Sequence, residues 1–538
     1  MNNKIESQDD RDKIRLSYFQ SSIVILSIIG IIAFLMRLNY FPYDIPLVLD
    51  SLNYFWYSND LSITGSFPKV EPGIPSSQIY HFPNNGWPIF ISLFFSIFDS
   101  QNFMELMNLQ RFVSIVVSVA TIIPLYFLCK KFFDKTLAVL GTAIFAFHPL
   151  IIKNSVLGIT EPLFILLGTI TIWLFLSKDY KMILVAFVVA ALFTLVRYEG
   201  LIIFLPLSII YILKYRKSKN VFFKYSMLCL VFVLVLLPMA YIRTESIGHD
   251  GIISNVLTGS KYFVLSTIET DSTVRDTTGQ DFISTGLINL LKFMGIFSLP
   301  YLIFLVPFGL IKSIKSKNFE NYTLLAVTFS MMLVALYAYS RDFQETRYLL
   351  ILTPILSIFS LYTLEKIFLK INKQKIALIL ICTILIFSSG FYLEFTKDDN
   401  NYERDAYEFA KIVFEKTDII NGYHPQDQYL RPIIAHFSDE FPKEKKFLPK
   451  PIKIVNVEKF NSITSYINTY RESGLDYIVI DDYENRPNYL THIYFNEDEF
   501  PYLKKVYDSN SLGSSYKVKL FLIDYAEYDK KTLESGNR

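Results

Sequence analysis

Cysteine is scarce in this 538-residue chain, and the three present form no pattern. Cys129, Cys229 and Cys382 each fall inside an apolar run, outside any Cys-x-x-Cys or Cys/His spacing. That excludes a disulfide framework and a zinc site of the usual ligand spacing. Net charge is nearly absent too: 52 Lys and Arg against 50 Asp and Glu leave +2, giving no global case for nucleic-acid binding. No repeat of fixed period and no low-complexity linker occurs, which argues against a solenoid or a tethered array. Met1–Phe19 is charged and polar and lacks a short apolar core with a small-residue cleavage site. The run Ser21–Met36 therefore reads as a retained first helix rather than a cleaved signal.

What is abundant is apolar sequence. The chain is 52% hydrophobic and 16% aromatic, and its apolar residues come in runs near the roughly 20 needed to cross a bilayer. About eleven spans follow, near 18–38, 107–129, 135–148, 160–177, 182–196, 200–213, 220–241, 286–311, 320–339, 348–369 and 375–395. Alternate short loops are basic: Lys130-Lys131, Lys178 with Lys181, Lys214 to Lys219, Lys312 with Lys315 and Lys317, and Lys366 to Lys375. Lys/Arg bias places these loops in the cytoplasm, with the N-terminus. The longer polar segments 39–106, 242–285 and 396–538 then face outward. The expected protein is a polytopic α-helical membrane protein of the cell membrane, with a transmembrane module over 1–396. Over 397–538 the composition turns charged and mixed in period. Helices at Tyr402–Lys416 and Lys459–Arg471 alternate with strands at Ile452–Val457, Asp476–Asp481 and Val518–Asp524, predicting a small extracytoplasmic α/β domain.

Charge location says more than its sum. Arg37, Glu161, Arg197 with Glu199, Arg243, and Arg341, Asp342, Glu345 and Arg347 all sit at the outward ends of spans. Outward arginines run against the inside bias, and ionisable groups near hydrocarbon are costly unless paired or hydrated. One reading is snorkelling or simple salt bridges at helix ends. The other, favoured by a set drawn from five spans, is a polar cavity open to the outside. Arg341 and Arg347 flank Asp342 and Glu345 in one short loop; they either neutralise these acids or grip a phosphate by forked hydrogen bonds. Arg347, which enters the next helix, is the better phosphate candidate.

Just past the first span, Asp50-Ser-Leu-Asn-Tyr54-Phe-Trp-Tyr57-Ser58-Asn-Asp60-Leu61 predicts a short helix with Asp50, Tyr54, Tyr57/Ser58 and Leu61 on one side. A carboxylate there suits a general base at the lipid–water boundary. Tyr80-His81-Phe-Pro83-Asn84-Asn85-Gly86-Trp87-Pro88 is a turn feeding an apolar helix, Ile89–Phe98, too short to span. His81, Asn84 and Asn85 either contact a sugar or an acceptor, or simply shape that turn.

Taken in order, these weak motifs resemble the GT-C glycosyltransferases, and among them the group of protein O-mannosyltransferases and lipid A aminoarabinose transferases. The residues that carry the likeness are Asp50…Tyr54…Ser58…Leu61, His81-Phe-Pro…Pro88, Arg111-Phe-Val-Ser…Lys131-Phe-Phe, His148-Pro149 with Thr160-Glu161-Pro162, Leu195-Val-Arg197-Tyr-Glu199-Gly200, and Arg347-Tyr348…Pro354. The likeness covers roughly residues 20–370. It departs at Ser51, where the family commonly has glutamate beside the aspartate, leaving Asp44 as an alternative acid. The Trp-Trp-Asp-Tyr-Gly motif of oligosaccharyltransferases is missing from the tail, and the 149–159 loop has no paired acid motif of the metal-dependent type.

The resemblance implies transfer of one sugar, mannose-like or related, from a polyprenyl- or dolichyl-phosphate donor to a hydroxyl on the outer face. Asp50 would be the base of an inverting reaction, and Tyr54, His81, Asn85, Glu161, Arg197, Glu199, Arg341 and Arg347 the substrate-binding residues. No metal or other cofactor is required; a divalent metal stays open as an alternative that no motif supports. The expected partners are the lipid-linked donor, a protein, lipid or glycan acceptor, and membrane lipids. The rival expectations are a transporter or flippase, or a non-catalytic subunit of a glycan-assembly system. Ionisable groups biased to one face, with no inverted repeat, disfavour the transporter.

Overall fold

The computed structural model describes residues 8–65, 84–98, 100, 103–268, 279–316, 318–368, 370–371, 373–397, 401–416, 460–482 and 487–536. His81 and the strand expected at Ile452–Val457 lie outside them. The chain divides into two compact units. One comprises Met1–Phe41, Phe82–Ile91 and Leu109–Lys397; the other comprises Pro42–His81, Ser92–Asn108 and Asp398–Arg538.

The described residues of the first unit form helices and the turns between them, as its apolar runs require. Among the described residues six helices are long and apolar enough to cross a membrane: Met104–Cys129, Tyr198–Tyr215, Val221–Glu245, Phe319–Ser340, Thr346–Phe368 and Gln374–Phe395. Two bent pairs bring the number to eight if each is one span, and Ile23–Asn39, Glu161–Phe175 and Tyr180–Val196 are shorter apolar helices. All eleven expected runs are thus helical, in a polytopic α-helical membrane protein. Several begin at side-chain caps that follow the polar loops. Asp134 accepts from Leu137 N (2.9 Å), Asp179 from Lys181 N (3.0 Å) and Asn318 from Asn321 N (2.8 Å), each satisfying a first-turn N–H.

Two expected spans are not straight. The run at 135–148 continues past Phe147 into a second helix, Pro149–Ser155, at 54°, so part of the expected 149–159 loop is helical. The run at 286–311 is two helices, Phe282–Ser298 and Leu302–Lys315, bent by 110°. Apolar periodicity could not report either break, because both arms are apolar. The breaks are held by hydrogen bonds that replace the missing helical ones. Tyr301 donates to Ile144 O (2.8 Å), Arg37 Nη1 to Ala146 O (3.1 Å), Ser389 to Phe147 O, and His148 Nε2 meets Phe297 O (3.1 Å). Carbonyls at a helix end in an apolar interior must find such donors.

The second unit contains the helix Leu49–Thr64, the expected helix around Asp50. It is closed by Gly65 in the left-handed conformation (φ 67°), whose N–H returns to Leu61 O. Its tail is an antiparallel sheet in the order β1–β3–β2, with β1 Tyr477–Asp481, β2 Leu503–Asp508 and β3 Val518–Ile523. Val479 lies opposite Leu520, and Leu503 opposite Ile523. The helices Ile463–Tyr470 and Asn488–Phe495 contribute Tyr466, Ile467, Leu490 and Ile493 to one core with Ile478, Ile480 and Phe521. Expected β1 and β3 are present. β2 was not expected: among the described strands it lies at an edge, and it carries Lys504 and Lys505, a composition that protects an edge while hiding the strand pattern.

Candidate active site

In the helical unit one cleft gathers charge. It is partly open to solvent and is lined by Glu161, Arg197, Glu199, Arg347 and Tyr348. Each residue is delivered by a break in helical structure. Glu161 opens the helix Glu161–Phe175, where Pro162 suits the first turn and the helix dipole favours a carboxylate. Arg197 ends Tyr180–Val196 in an extended conformation (φ −146°, ψ 124°), and the chain resumes as the 3-10 turn Tyr198–Ile203.

This break depends on two glycines. A Cβ on Gly200 would stand 2.8 Å from the Phe193 ring, so only glycine lets the turn carrying Glu199 fold back on that ring. A Cβ on Gly86 would meet Leu195 C and Val196 N at 2.7 Å. The Asn84–Trp87 turn thereby lies directly against the backbone leading into Arg197. Asn84 Oδ1 accepts from Tyr198 N (3.4 Å), and the buried Trp87 donates from Nε1 to Gly158 O (3.2 Å), beside the strand of chain leading to Glu161. The turn therefore braces both sides of the site.

Within the cleft Arg197 bridges two acids. Its Nη1 donates to Glu161 Oε1 at 2.5 Å and its Nη2 to Glu199 Oε1 at 2.9 Å, with the guanidinium 5.9 Å from the Phe164 ring. Phe164 itself stacks on Phe193 at 3.9 Å. Arg347, on the 3-10 turn Thr346–Leu352, pairs through Nε with Glu345 at 2.6 Å and lies 5.4 Å over the Tyr348 ring. The two arginines differ in their partners: both acids on Arg197 are sheltered, whereas the Glu345 side chain is 55% exposed. A second, small apolar pocket adjoins the cleft and shares Met331 and Ile351 with it. Together they present charge at one end and hydrocarbon at the other.

The other expected site residues are placed as follows. Arg37 is fully buried, donating to Ala33 O, Ala146 O and Ser118 Oγ at the helix break. Arg243 is buried and donates to Asn85 Oδ1 at 2.6 Å, so Asn85 is engaged by a protein partner. Arg341 is exposed, over Tyr337 and Phe343, and does not line the cleft. In the second unit Asp50 is half-buried in the first turn of its helix, one turn from the buried Tyr54. Asp44, the alternative acid, forms an ion pair with Arg404 (2.8 Å). Sequence reasoning passed over Phe164, Met331 and Ile351, since an apolar residue lining a cleft looks no different in sequence from one facing lipid. Tyr348 was within reach, standing directly beside Arg347.

The sequence profile of the dolichyl-phosphate-mannose-protein mannosyltransferase family matches residues 86–242, which include Glu161, Arg197 and Glu199. No curated protein matches the chain by sequence. Among solved structures, ArnT from Cupriavidus metallidurans bound to undecaprenyl phosphate is similar, with a TM-score of 0.55 at 11% identity over 93% of this chain and 97% of that one. The archaeal oligosaccharyltransferase AglB from Archaeoglobus fulgidus, in complex with an inhibitory peptide and a dolichol-phosphate, gives a TM-score of 0.54 at 15% identity over 90% and 72%. The resemblance read from the sequence motifs is borne out: this chain has the fold of the GT-C membrane glycosyltransferases, with a mannosyltransferase-type sequence over residues 86–242.

Proposed function

We propose that the protein is a membrane glycosyltransferase that moves one sugar from a polyprenyl-phosphate donor to a hydroxyl acceptor with inversion, at the extracytoplasmic face. The observation that carries this reading is the cleft itself. Arginines at one end and an adjoining apolar cavity match an isoprenoid phosphate, charged at its head and hydrocarbon beyond. The ligands of the similar folds, undecaprenyl phosphate on ArnT and dolichol-phosphate on AglB, are of this class.

In the proposed reaction Asp50 takes the proton of the acceptor hydroxyl. The oxygen bonds to the anomeric carbon as the bond from that carbon to the phosphate oxygen breaks. The lipid phosphate leaves with the electron pair, and its charge is held by Arg347. A preplaced cation at the leaving group is worth most in a site from which water is excluded. Arg347, paired with one solvent-exposed acid, suits this role better than Arg197, whose charge is shared by two sheltered acids, Glu161 and Glu199. General-base assistance supplies roughly 10²–10⁴-fold in rate.

Asp50→Asn in cells is the test. Accumulation of sugar-charged lipid with loss of glycosylated product, while the protein remains inserted, is expected. Continued transfer by that variant would remove Asp50 as the base. A transporter or a non-catalytic subunit would instead leave transfer independent of this carboxylate.

A further inference from the structure

Glu199 is not consumed by its ion pair. Arg197 holds Oε1, but Oε2 is enclosed, lines the cleft with the rest of the side chain, and has no hydrogen-bond partner among the described residues. A buried acceptor without a donor is unfavourable, more so when it is charged, and a ligand that donates there recovers the loss. The charge balance of the cleft narrows the ligand. One wall carries two carboxylates and a single guanidinium, Glu161, Arg197 and Glu199, and so an excess of negative charge. Arg347 brings a guanidinium to the same cleft, paired through Nε with Glu345, whose side chain is largely in solvent, so that its terminal nitrogens are the cationic group a ligand would meet. A cationic ligand would meet Arg347, and a plain phosphate would meet Glu199. A ligand that is anionic at one point and donates a hydrogen bond at another satisfies both.

Resting on the donor reading above, we infer that Glu199 is the residue that recognises the sugar of the donor, accepting a hydrogen bond from a ring hydroxyl while Arg347 holds the phosphate. Arg197 is then a positioning residue. It fixes Oε1 and so turns Oε2 toward the ligand. Glu161 fixes Arg197 in turn, from a helix N-terminus whose dipole supports its charge. The bond to a hydroxyl is charge-assisted and correspondingly strong. It gives the cleft a means of separating sugar-loaded lipid from the spent lipid phosphate, which differ only in the sugar. Such discrimination favours release of the product lipid.

The test compares two probes, undecaprenyl phosphate and undecaprenyl phosphate mannose, on the purified full-length protein. The wild type is expected to bind the mannosylated lipid at least tenfold more tightly. Glu199→Gln, which keeps the shape and an oxygen for Arg197, should lose most of that preference while binding the bare lipid phosphate as well as before or better. Its KM for the mannosylated donor should rise with little change in kcat. Binding of the bare lipid also reports that the variant is folded. Retained preference, or equal weakening for both lipids, overturns the role of Glu199, as does a wild type that binds both equally. A wild type that binds neither lipid fails the donor reading itself, which separates the two failures.

Discussion

Arg37 and Arg347 give the same signal in sequence, a guanidinium at the end of an apolar span, yet the structure employs them in opposite ways. Arg37 spends both terminal nitrogens on its own protein. Two backbone carbonyls and a serine hydroxyl surround it at a helix break, and it is fully buried. Arg347 stands on a short 3-10 turn at the rim of a cleft, paired with a half-exposed glutamate. Arg243, bonded to Asn85 inside the helical unit, belongs with Arg37, and Arg197 lies between the extremes. A charge in an apolar setting therefore marks either a structural repair or a site. What separates the two is whether backbone or open space faces it.

The widest test of this contrast is Arg347→Ala. It should reduce sugar transfer about 10²–10³-fold, the range seen when one preorganised donor to developing charge is removed, while thermal unfolding in detergent changes little. Arg37→Met should show the reverse. With Ala146 O and Ser118 left without a donor, stability should fall by about 1–3 kcal/mol, and activity per folded molecule should hold. A loss of transfer in Arg37→Met at full stability would collapse the distinction. Gly200→Val probes the middle ground. Its side chain would displace Phe193 or the turn bearing Glu199, and we expect roughly a tenfold loss of kcat/KM with a moderate drop in melting temperature, since overpacking costs about 1–3 kcal/mol. Arg341→Ala should do least, within about 0.5 kcal/mol of wild type and with transfer intact, because Arg341 is exposed and outside the cleft.

The helices were the most legible part of the sequence, because runs of apolar residues between basic loops leave few alternatives. The amphipathic helix at Asp50, the short apolar helix after Asn85, and strands β1 and β3 were also readable. The breaks at Phe147–His148 and Leu299–Tyr301 were hidden, since hydropathy does not register a bend between two apolar arms. The charged residues were found as a set but not sorted. Sorting them needs the partners, which lie far apart in sequence: Arg37 with Ala146, Arg243 with Asn85, Arg197 with Glu161. The role of Asn84–Trp87 was half visible. The turn was expected, but its contact with the Leu195–Val196 backbone was not, because a close approach at glycine leaves no compositional trace.

The most direct measurement is a density map of the full-length protein with undecaprenyl phosphate bound. The phosphate is expected within hydrogen-bonding distance of Arg347 in the cleft lined by Glu161, Arg197 and Glu199, with the first isoprene carbons in the apolar cavity beside Met331 and Ile351. A phosphate seated instead on Arg341, with the cleft empty, would contradict the account.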